Sequence, residues 1–461
     1  MSAGSDGFDR STPPAAGPIR PFDFPGVSSF TLPNGLAVRV ARMPNLPVVS
    51  TSLVLEAGES GVAPDQAGLA VLTGDALLAG TTRRSGAQLA EALEGIGAGL
   101  GVTTGWDVTT VSLSCLSERL EDAASLMAEV VQEPSFEEVE FARFRQQRLA
   151  TVDQRRMDPR SLADDSAARL VYADSVPYGR PAGGTKPSIQ DVTREDASSY
   201  AGGHYRPSGG GLVVVGDVEG DRVRELADRL LGSPGGGAPA RPEVVAEPRS
   251  RQRTVSVVHR PGAVQSEIRI GHVGQPRSSA DYVPLLVLNT VLGGAFTSRL
   301  NLNLRERHGF TYGVRSAFAF RRAAGPFSVS TAVATEVTAD AVREAMSELV
   351  GMVADGPTEE ELQAARDYIV GVFPLRLETT SQVASRISEL IVHDLPDDYY
   401  ATYRDQVAAV TREGVREAGR RAIRPEELAV VVVGDAEAVR GPLEELGLGP
   451  VEIHDPTELL G

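Results

Sequence analysis

Histidine and cysteine, the side chains that most often bind metals or act as nucleophiles, are scarce among the 461 residues of this chain. There is a single cysteine, Cys115, which cannot form an intrachain disulfide or an iron–sulfur cage. The six histidines are His204, His259, His272, His308, His393 and His454. No two of them are four residues apart, so no helix offers two imidazoles to one zinc ion. Each histidine is therefore interpreted as a surface or core residue.

A second group with chemical potential lies in the second half of the chain, where Arg305 and Tyr312 stand seven residues apart after Gly293 and Gly294. A guanidinium and a phenol are hydrogen-bond donors suited to an oxygen that develops negative charge. Their spacing alone favours a structural explanation, in which Arg305 caps a helix end and Tyr312 packs in a strand. The surrounding segments are needed to choose between the two explanations.

Residues 68–81, with the sequence GLAVLTGDALLAGT, resemble the active-site helix of the pitrilysin/insulinase family of zinc metallopeptidases. That family carries the inverted zinc motif H-x-x-E-H between a G-L-A lead and a G-T. Its two histidines bind zinc, and the glutamate between them acts as base on the zinc-bound water. The lead and the Gly80-Thr81 pair stand here at the family's spacing. The resemblance implies the family's fold for nearly the whole chain from about residue 28.

The zinc motif itself is degenerate. By the resemblance, the histidine positions hold Val71 and Asp75, the position of the base holds Gly74, and the third-ligand position holds Thr151 or its neighbour. A valine cannot bind zinc, and Asp75 with the distant Asp153 would make a poor oxygen-only site. We therefore expect no metal in this chain and no hydrolysis by its first half. The arginines of the same region, Arg143 to Arg156, are interpreted as a solvated helix face because acidic residues are interspersed.

Other segments extend the resemblance. Residues 177–181 followed by Gly184-Thr185 resemble the loop after the family's later helix, and residues 292–314 resemble the segment in which an arginine and a tyrosine face the zinc site. The resemblance implies that Arg305 and Tyr312 donate hydrogen bonds to the bound peptide and to the developing oxyanion. It also implies substrate-binding positions beside the cleft and in the second half, at Val102, Thr104, Asp107, Gly293 and Gly294.

The elements that must position these residues are duplicated. A β-branched run follows Arg206-Pro207 and ends at Gly216-Asp217, and another follows Arg424-Pro425 and ends at Gly434-Asp435, an offset of 218 residues each time. Both predict a buried strand that opens a helix. Three further features recur in order: a strand pair at residues 101–113 and 312–333, a helix at 117–131 and 338–353, and capping boxes at Ser135-x-x-Glu138 and Thr358-x-x-Glu361.

This repeat predicts an α+β fold of two homologous halves, each a mixed sheet packed with helices. A hairpin around Asn34-Gly35 opens the first half. We predict a disordered tail at 1–27, an N-terminal peptidase-like domain at 28–231, a linker at 232–253 and a C-terminal peptidase-like domain at 254–461.

Charge and hydropathy limit the partners. The net charge is −17 and there is no basic run, which argues against nucleic acid and anionic lipid as partners. No apolar run approaches the ~20 residues that span a bilayer, and the start of the chain lacks the pattern of a secretory signal. We therefore expect a cytoplasmic protein that does not bind membranes.

Short members of the resembled family pair two chains around one chamber, in some cases with the zinc motif in one chain and the arginine and tyrosine in the other. This chain lacks the first and carries the second. The sequence therefore predicts a non-catalytic subunit of a heterodimeric peptidase that acts on unfolded peptides, with zinc in the partner paralogue. A peptide would add as a strand beside residues 102–108. Two alternatives stay open: a structural or assembly protein without a role in proteolysis, and a peptide-binding homodimer that acts alone.

Overall fold

A computed structural model describes residues 17–233 and 237–460. Its strands form two six-stranded sheets. The strands of the first sheet are β1 (Val27–Thr31), β2 (Ala37–Arg42), β3 (Val48–Leu55), β4 (Gly99–Thr104), β5 (Thr109–Leu116) and β6 (Gly211–Gly216). Those of the second are β7 (Thr254–His259), β8 (Gln265–Val273), β9 (Val314–Phe318), β10 (Pro326–Ala334), β11 (Ala429–Gly434) and β12 (Val451–His454).

Helices cover both sheets. In the first half they are α1 (Leu69–Ala76), α2 (Gly86–Gly95), α3 (Leu120–Gln132), α4 (Glu138–Met157), α5 (Pro159–Val171), α6 (Lys186–Asp191), α7 (Arg194–His204) and α8 (Gly220–Leu231). In the second half they are α9 (Tyr282–Asn289), α10 (Thr338–Asp355), α11 (Glu359–Val372), α12 (Thr380–Val392), α13 (Tyr399–Ala408), α14 (Arg412–Ala422), α15 (Ala436–Glu445) and α16 (Pro456–Leu460). Two π-helical segments, Thr290–Gly294 and Asn301–Arg307, precede β9.

The two sheets share one topology. Their strand orders are β1-β2-β6-β3-β5-β4 and β12-β7-β11-β8-β10-β9, so five strands of the first half have a counterpart at the same place in the second. The valine-rich strands β6 and β11 are buried along their whole length, as expected for central strands covered on both faces. Each pairs in parallel with one neighbour and antiparallel with the other. The predicted α+β fold of two duplicated mixed sheets is confirmed.

The two predicted capping boxes have different outcomes. Thr358 caps α11 as expected, because its hydroxyl accepts from the Glu361 N–H at 3.2 Å and its own N–H donates to the Glu361 carboxylate at 2.7 Å. The box predicted at Ser135 is wrong: α4 begins at Glu138 without a side-chain cap. Phe136 takes a left-handed φ of 43°, which turns the chain before the helix and places Ser135 outside the capping position.

Each half lends a helix to the other half's sheet. Helix α5 lies on strands β8 and β11 of the second sheet, and α12 lies on β3 and β6 of the first. The Nε of Arg269 on β8 donates to Asp164 of α5 at 2.6 Å, and the hydroxyls of Ser50 on β3 and Thr380 of α12 are 2.8 Å apart. The two halves are therefore interlocked.

The segments flanking the first half also pack against the rest of the chain. Residues 1–16 of the predicted tail lie outside the described residues, but Phe24, within the same prediction, lies against Tyr400 with ring centroids 5.3 Å apart. In the predicted linker, Pro248 forms a β-bridge with Tyr172. Within the described ranges, no helix combines the length and apolar character that crossing a bilayer requires. The cytoplasmic location stays a prediction.

Candidate functional site

The helix that resembles the family's active-site helix is α1, and a buried carboxylate holds its first turn. Glu59 accepts hydrogen bonds from the backbone N–H of Gly68 at 2.6 Å and of Ala70 at 3.2 Å. It therefore binds N–H groups at the helix start that have no partner within the helix. Burial raises the pKa of Glu59 to about 8, although the backbone donors and Arg180 oppose this shift. Gly68 has a φ of 92°, which favours glycine.

The degenerate zinc positions lie on α1 and α4. The Asp75 carboxylate forms an ion pair with the guanidinium of Arg148, which stands on α4 one turn before Thr151. The Thr151 hydroxyl donates to the Gln147 carbonyl of its own helix at 2.9 Å. Val71 offers no donor atom, so the site brings together one carboxylate, one hydroxyl and an arginine.

Gly74, at the position of the family's catalytic base, is packed so closely that a side chain has no room there. A Cβ atom on Gly74 would lie 2.3 Å from the Thr104 Oγ1 of strand β4, well inside van der Waals contact. The Thr104 and Thr109 hydroxyls are 2.9 Å apart, and Thr109 in turn donates to the Ala57 carbonyl at 2.6 Å. Helix α1 therefore packs directly onto β4 at the point where a catalytic glutamate would need room.

These positions do not fit a zinc ion. Zinc takes histidine, cysteine or carboxylate donors, and the carboxylate present here is already paired with a cation. Throughout residues 17–233 and 237–460, no group of three or more such side chains is arranged to hold a metal. Sequence reasoning placed Arg148 on a solvated face and missed its pairing with Asp75. The signals available were an acid, Asp75, at the position where the resembled family has a histidine, and the arginines of residues 143–156.

Arg305 and Tyr312 lie close together, and their predicted role as hydrogen-bond donors to substrate stays a prediction. Arg305 lies on the second π-helical segment, with its guanidinium carbon 4.3 Å from the ring centre of Phe296 and 5.6 Å from that of Tyr312. The Asn301 side chain accepts from the Val314 N–H at 3.1 Å and so fixes the turn between the segment and β9. Tyr312 is 94 % exposed, which excludes the packed position that spacing alone favoured.

These two residues border an open cavity of about 440 Å³, called the Arg305 cavity below. Strands β8, β9 and β10, the second π-helical segment and the start of α5 enclose it. It is lined by Arg160, Glu267, Arg269, Phe296, Asn301, Arg305, Tyr312, Gly313, Val314, Arg315, Ser330, Thr331 and Ala332. None of the degenerate zinc positions is among these residues, so within this chain the two candidate sites are separate.

The predicted substrate-binding glycines have packing roles in the structure. A Cβ on Gly293 would lie 2.4 Å from the backbone nitrogen of Ser316 on β9, and one on Gly294 would lie 2.9 Å from the Asn289 side chain. Both glycines therefore let the first π-helical segment approach its neighbours closely. Their predicted contact with substrate stays a prediction.

The remaining predicted positions lie on or just after β4. Val102 pairs with Val111 of β5, and no described strand pairs with the other side of β4, so it forms an edge of the first sheet. Asp107 instead connects the halves: its carboxylate accepts from the Tyr178 hydroxyl at 3.1 Å and from the Arg322 backbone N–H at 3.1 Å. This second contact could not be predicted from local patterns, because 215 positions separate the two residues.

Comparison with known proteins shows the family. Residues 38–175 match the family described as insulinase, peptidase family M16, and residues 191–369 match the peptidase M16 inactive domain. The chain belongs to the insulinase (M16) family of peptidases.

Several relatives are similar to this chain over most of their length. A protein described as an uncharacterized zinc protease of Mycobacterium leprae is 29 % identical over 370 residues, which are 78 % of this chain and 81 % of the relative. Another of Streptomyces coelicolor is 24 % identical over 89 % of this chain and 90 % of its own. A crystal structure described as a peptidase M16 inactive domain from Pseudomonas fluorescens has a TM-score of 0.83 at 27 % identity, and covers 89 % of this chain and 98 % of that one.

Proposed function

We propose that this chain is the non-catalytic subunit of a heterodimeric zinc metallopeptidase and that a zinc-bearing paralogue is its partner. The observation that carries the proposal is the contrast between the two candidate sites. The Arg305 and Tyr312 side chains meet at an open cavity, whereas Val71, Gly74, Asp75 and Thr151 do not fit zinc.

The exposure of Tyr312 supports a role outside this chain. A tyrosine normally places its ring against other apolar atoms, and here Arg305 holds the ring from one side while the rest faces solvent. Two donors at one cavity would stabilise an oxyanion there, but the degenerate zinc positions of this chain do not fit a metal that would activate water. The partner would supply the metal and the base, and Arg305 and Tyr312 would face that site from across the chamber.

Of the corresponding edge strands β4 and β9, β4 is the better candidate for the strand beside which a peptide binds. On β9, the outer edge of the second sheet, the Asn301 side chain already accepts from the Val314 N–H, and Gly293 lies against Ser316. Among the described strands, β4 pairs with β5 alone, and its residues are half-buried or exposed. An unfolded peptide would add there through main-chain hydrogen bonds, which require no particular sequence.

Coexpression with a zinc-bearing paralogue tests the proposal. The purified pair should cleave unfolded peptides, and each of Arg305→Ala and Tyr312→Phe should lower kcat/KM by about 10²-fold or more, the usual loss for an oxyanion donor. The matched controls, Arg307→Ala and Tyr368→Phe, remove an exposed arginine and an exposed tyrosine hydroxyl away from the cavity and should leave kcat/KM within about twofold.

Three other outcomes contradict the proposal. Full activity of the pair with both Arg305→Ala and Tyr312→Phe would show that this chain does not complement the partner's site. A stable pair without hydrolysis would favour a structural or assembly protein. A homodimer that binds peptides without any paralogue, seen by light scattering, would favour the stand-alone module.

A further inference from the structure

The Arg305 cavity is strongly basic although the chain as a whole is acidic. Three arginines besides Arg305 line it: Arg160 from the start of α5, Arg269 from β8 and Arg315 from β9. Among the described residues that line the cavity, Glu267 is the one carboxylate. A concentration of arginine at one concavity is notable in a chain of net charge −17, because the average surface potential has the opposite sign.

Part of this positive charge is already neutralised. Arg269 is buried and donates to Asp164 at 2.6 Å and to Glu267 at 2.9 Å. Its third nitrogen donates to the Arg160 backbone carbonyl at 3.2 Å, which fixes the start of α5 against the cavity. Glu267 is therefore occupied by Arg269 and does not balance the other three guanidiniums.

Arg160, Arg305 and Arg315 keep their charge available. In the part of the chain that the structure describes, no carboxylate lies within 4.0 Å of Arg160 or Arg315, and both are exposed. Among the described residues, Glu306 alone has a carboxylate within 4.0 Å of the Arg305 guanidinium, at 3.4 Å. Three such guanidiniums around one concavity attract an anion, and their planar fork matches a carboxylate in a bidentate arrangement.

We propose that the Arg305 cavity binds a carboxylate group of a peptide, either an acidic side chain or a C-terminal carboxylate. A volume of about 440 Å³ suits one residue and its neighbours. The exposed rings of Phe296 and Tyr312 offer contact to the apolar atoms of a peptide, which a small inorganic anion lacks. The proposal rests on the proposed function in that the peptide is the substrate, but the binding belongs to this chain alone.

Isothermal titration calorimetry of the isolated full chain with three pentapeptides tests whether the cavity binds a carboxylate. The first has a central glutamate and both ends blocked, the second replaces that glutamate by glutamine, and the third is a blocked-N-terminus alanine pentapeptide with a free C-terminal carboxylate. We expect at least one carboxylate peptide to bind about tenfold or more tightly than the glutamine peptide, and more weakly at high salt. The first and third peptides distinguish the side chain from the terminus as the source of the carboxylate.

A matched pair of variants locates the binding. Arg160→Gln/Arg315→Gln removes two cavity charges without touching Arg305 or Tyr312, and should abolish the preference for the carboxylate. Arg222→Gln/Arg307→Gln removes the same charge from exposed positions outside the cavity and should keep the preference. Circular dichroism confirms that both variants are folded.

Equal binding of the glutamate, glutamine and free-carboxylate peptides, or no binding of any, overturns the proposal. So does a carboxylate preference that survives Arg160→Gln/Arg315→Gln, or competition by inorganic phosphate as strong as that by a carboxylate peptide. Because no partner subunit is present, these results are independent of whether the pair hydrolyses peptides.

Discussion

Replacing Gly74 by alanine should destabilise the protein, although alanine is the better helix former. In the interior of α1, alanine alone would contribute about 0.5–1 kcal/mol relative to glycine. Its Cβ, however, would meet the Thr104 hydroxyl at 2.3 Å, where ordinary contact begins at 3.4 Å. Thr104 is β-branched and shares a hydrogen bond with Thr109, so its side chain cannot rotate away freely.

The expected magnitude follows from these opposing effects. Overpacking of a filled interior typically costs about 1–3 kcal/mol, and rotation of Thr104 would lose a hydrogen bond worth about 1 kcal/mol. The net result for Gly74→Ala is a loss of about 1–3 kcal/mol in the free energy of unfolding. Gly202→Ala is the control, because this helical glycine on α7 has no atom within 4 Å of its added Cβ and should stabilise by about 0.5–1 kcal/mol.

Urea denaturation of a double-mutant cycle measures the effect. Thr104→Ala removes the hydroxyl, so Gly74→Ala should become neutral or stabilising in that background, with a coupling energy of about 2 kcal/mol. If Gly74→Ala stabilises the otherwise unchanged protein as much as Gly202→Ala does, α1 is not packed against β4 as described. A glutamate at this position would then have room, and the loss of the base would be a matter of side-chain identity alone.

Two further predictions concern buried carboxylates. Because the folded-state pKa of Glu59 is raised from 4.5 to about 8, the native state holds a proton that the unfolded state has lost, and stability should fall as pH rises through this interval by up to about 1.4 kcal/mol per pH unit. Glu59→Gln should flatten that slope in urea titrations from pH 5 to 8; an unchanged slope would show that the folded carboxyl is ionised throughout. Arg322→Ala should cost about 2–3 kcal/mol, because the buried Glu56 loses its bidentate partner at 2.5 and 2.8 Å and keeps the Arg241 contact at 3.1 Å. The exposed Arg343→Ala should cost less than about 1 kcal/mol in the same assay, and equal losses would contradict the reasoning.

The parts of the fold that follow local rules were predictable. The valine runs that became β6 and β11 needed only β-branched residues and a closing glycine, and the hairpin at Asn34-Gly35 needed only its turn residues. The repeat then fixed the fold class, because elements found twice in the same order must build the same sheet twice.

The site was predictable only where the resembling segment covered it. Arg305 and Tyr312 belong to one short stretch of chain, so the resemblance of that stretch was enough to select both residues as candidates. The Asp75–Arg148 pair and the contact of Asp107 with Arg322 join residues 73 and 215 positions apart. No periodicity or spacing in a single sequence encodes such long-range pairs. The same limit applies to Thr104 and Gly74, whose conflict depends on how closely α1 approaches β4.

The exchange of α5 and α12 between the halves has a consequence for the order of synthesis. Helix α12, residues 380–392, covers the first sheet at β3 and β6, which leave the ribosome more than 150 residues earlier. Until α12 emerges, the nascent first half keeps an apolar sheet face uncovered and is exposed to aggregation. A gene cut at the linker should therefore yield two fragments that fold only when both are present, so neither of the duplicated halves is an independent folding unit.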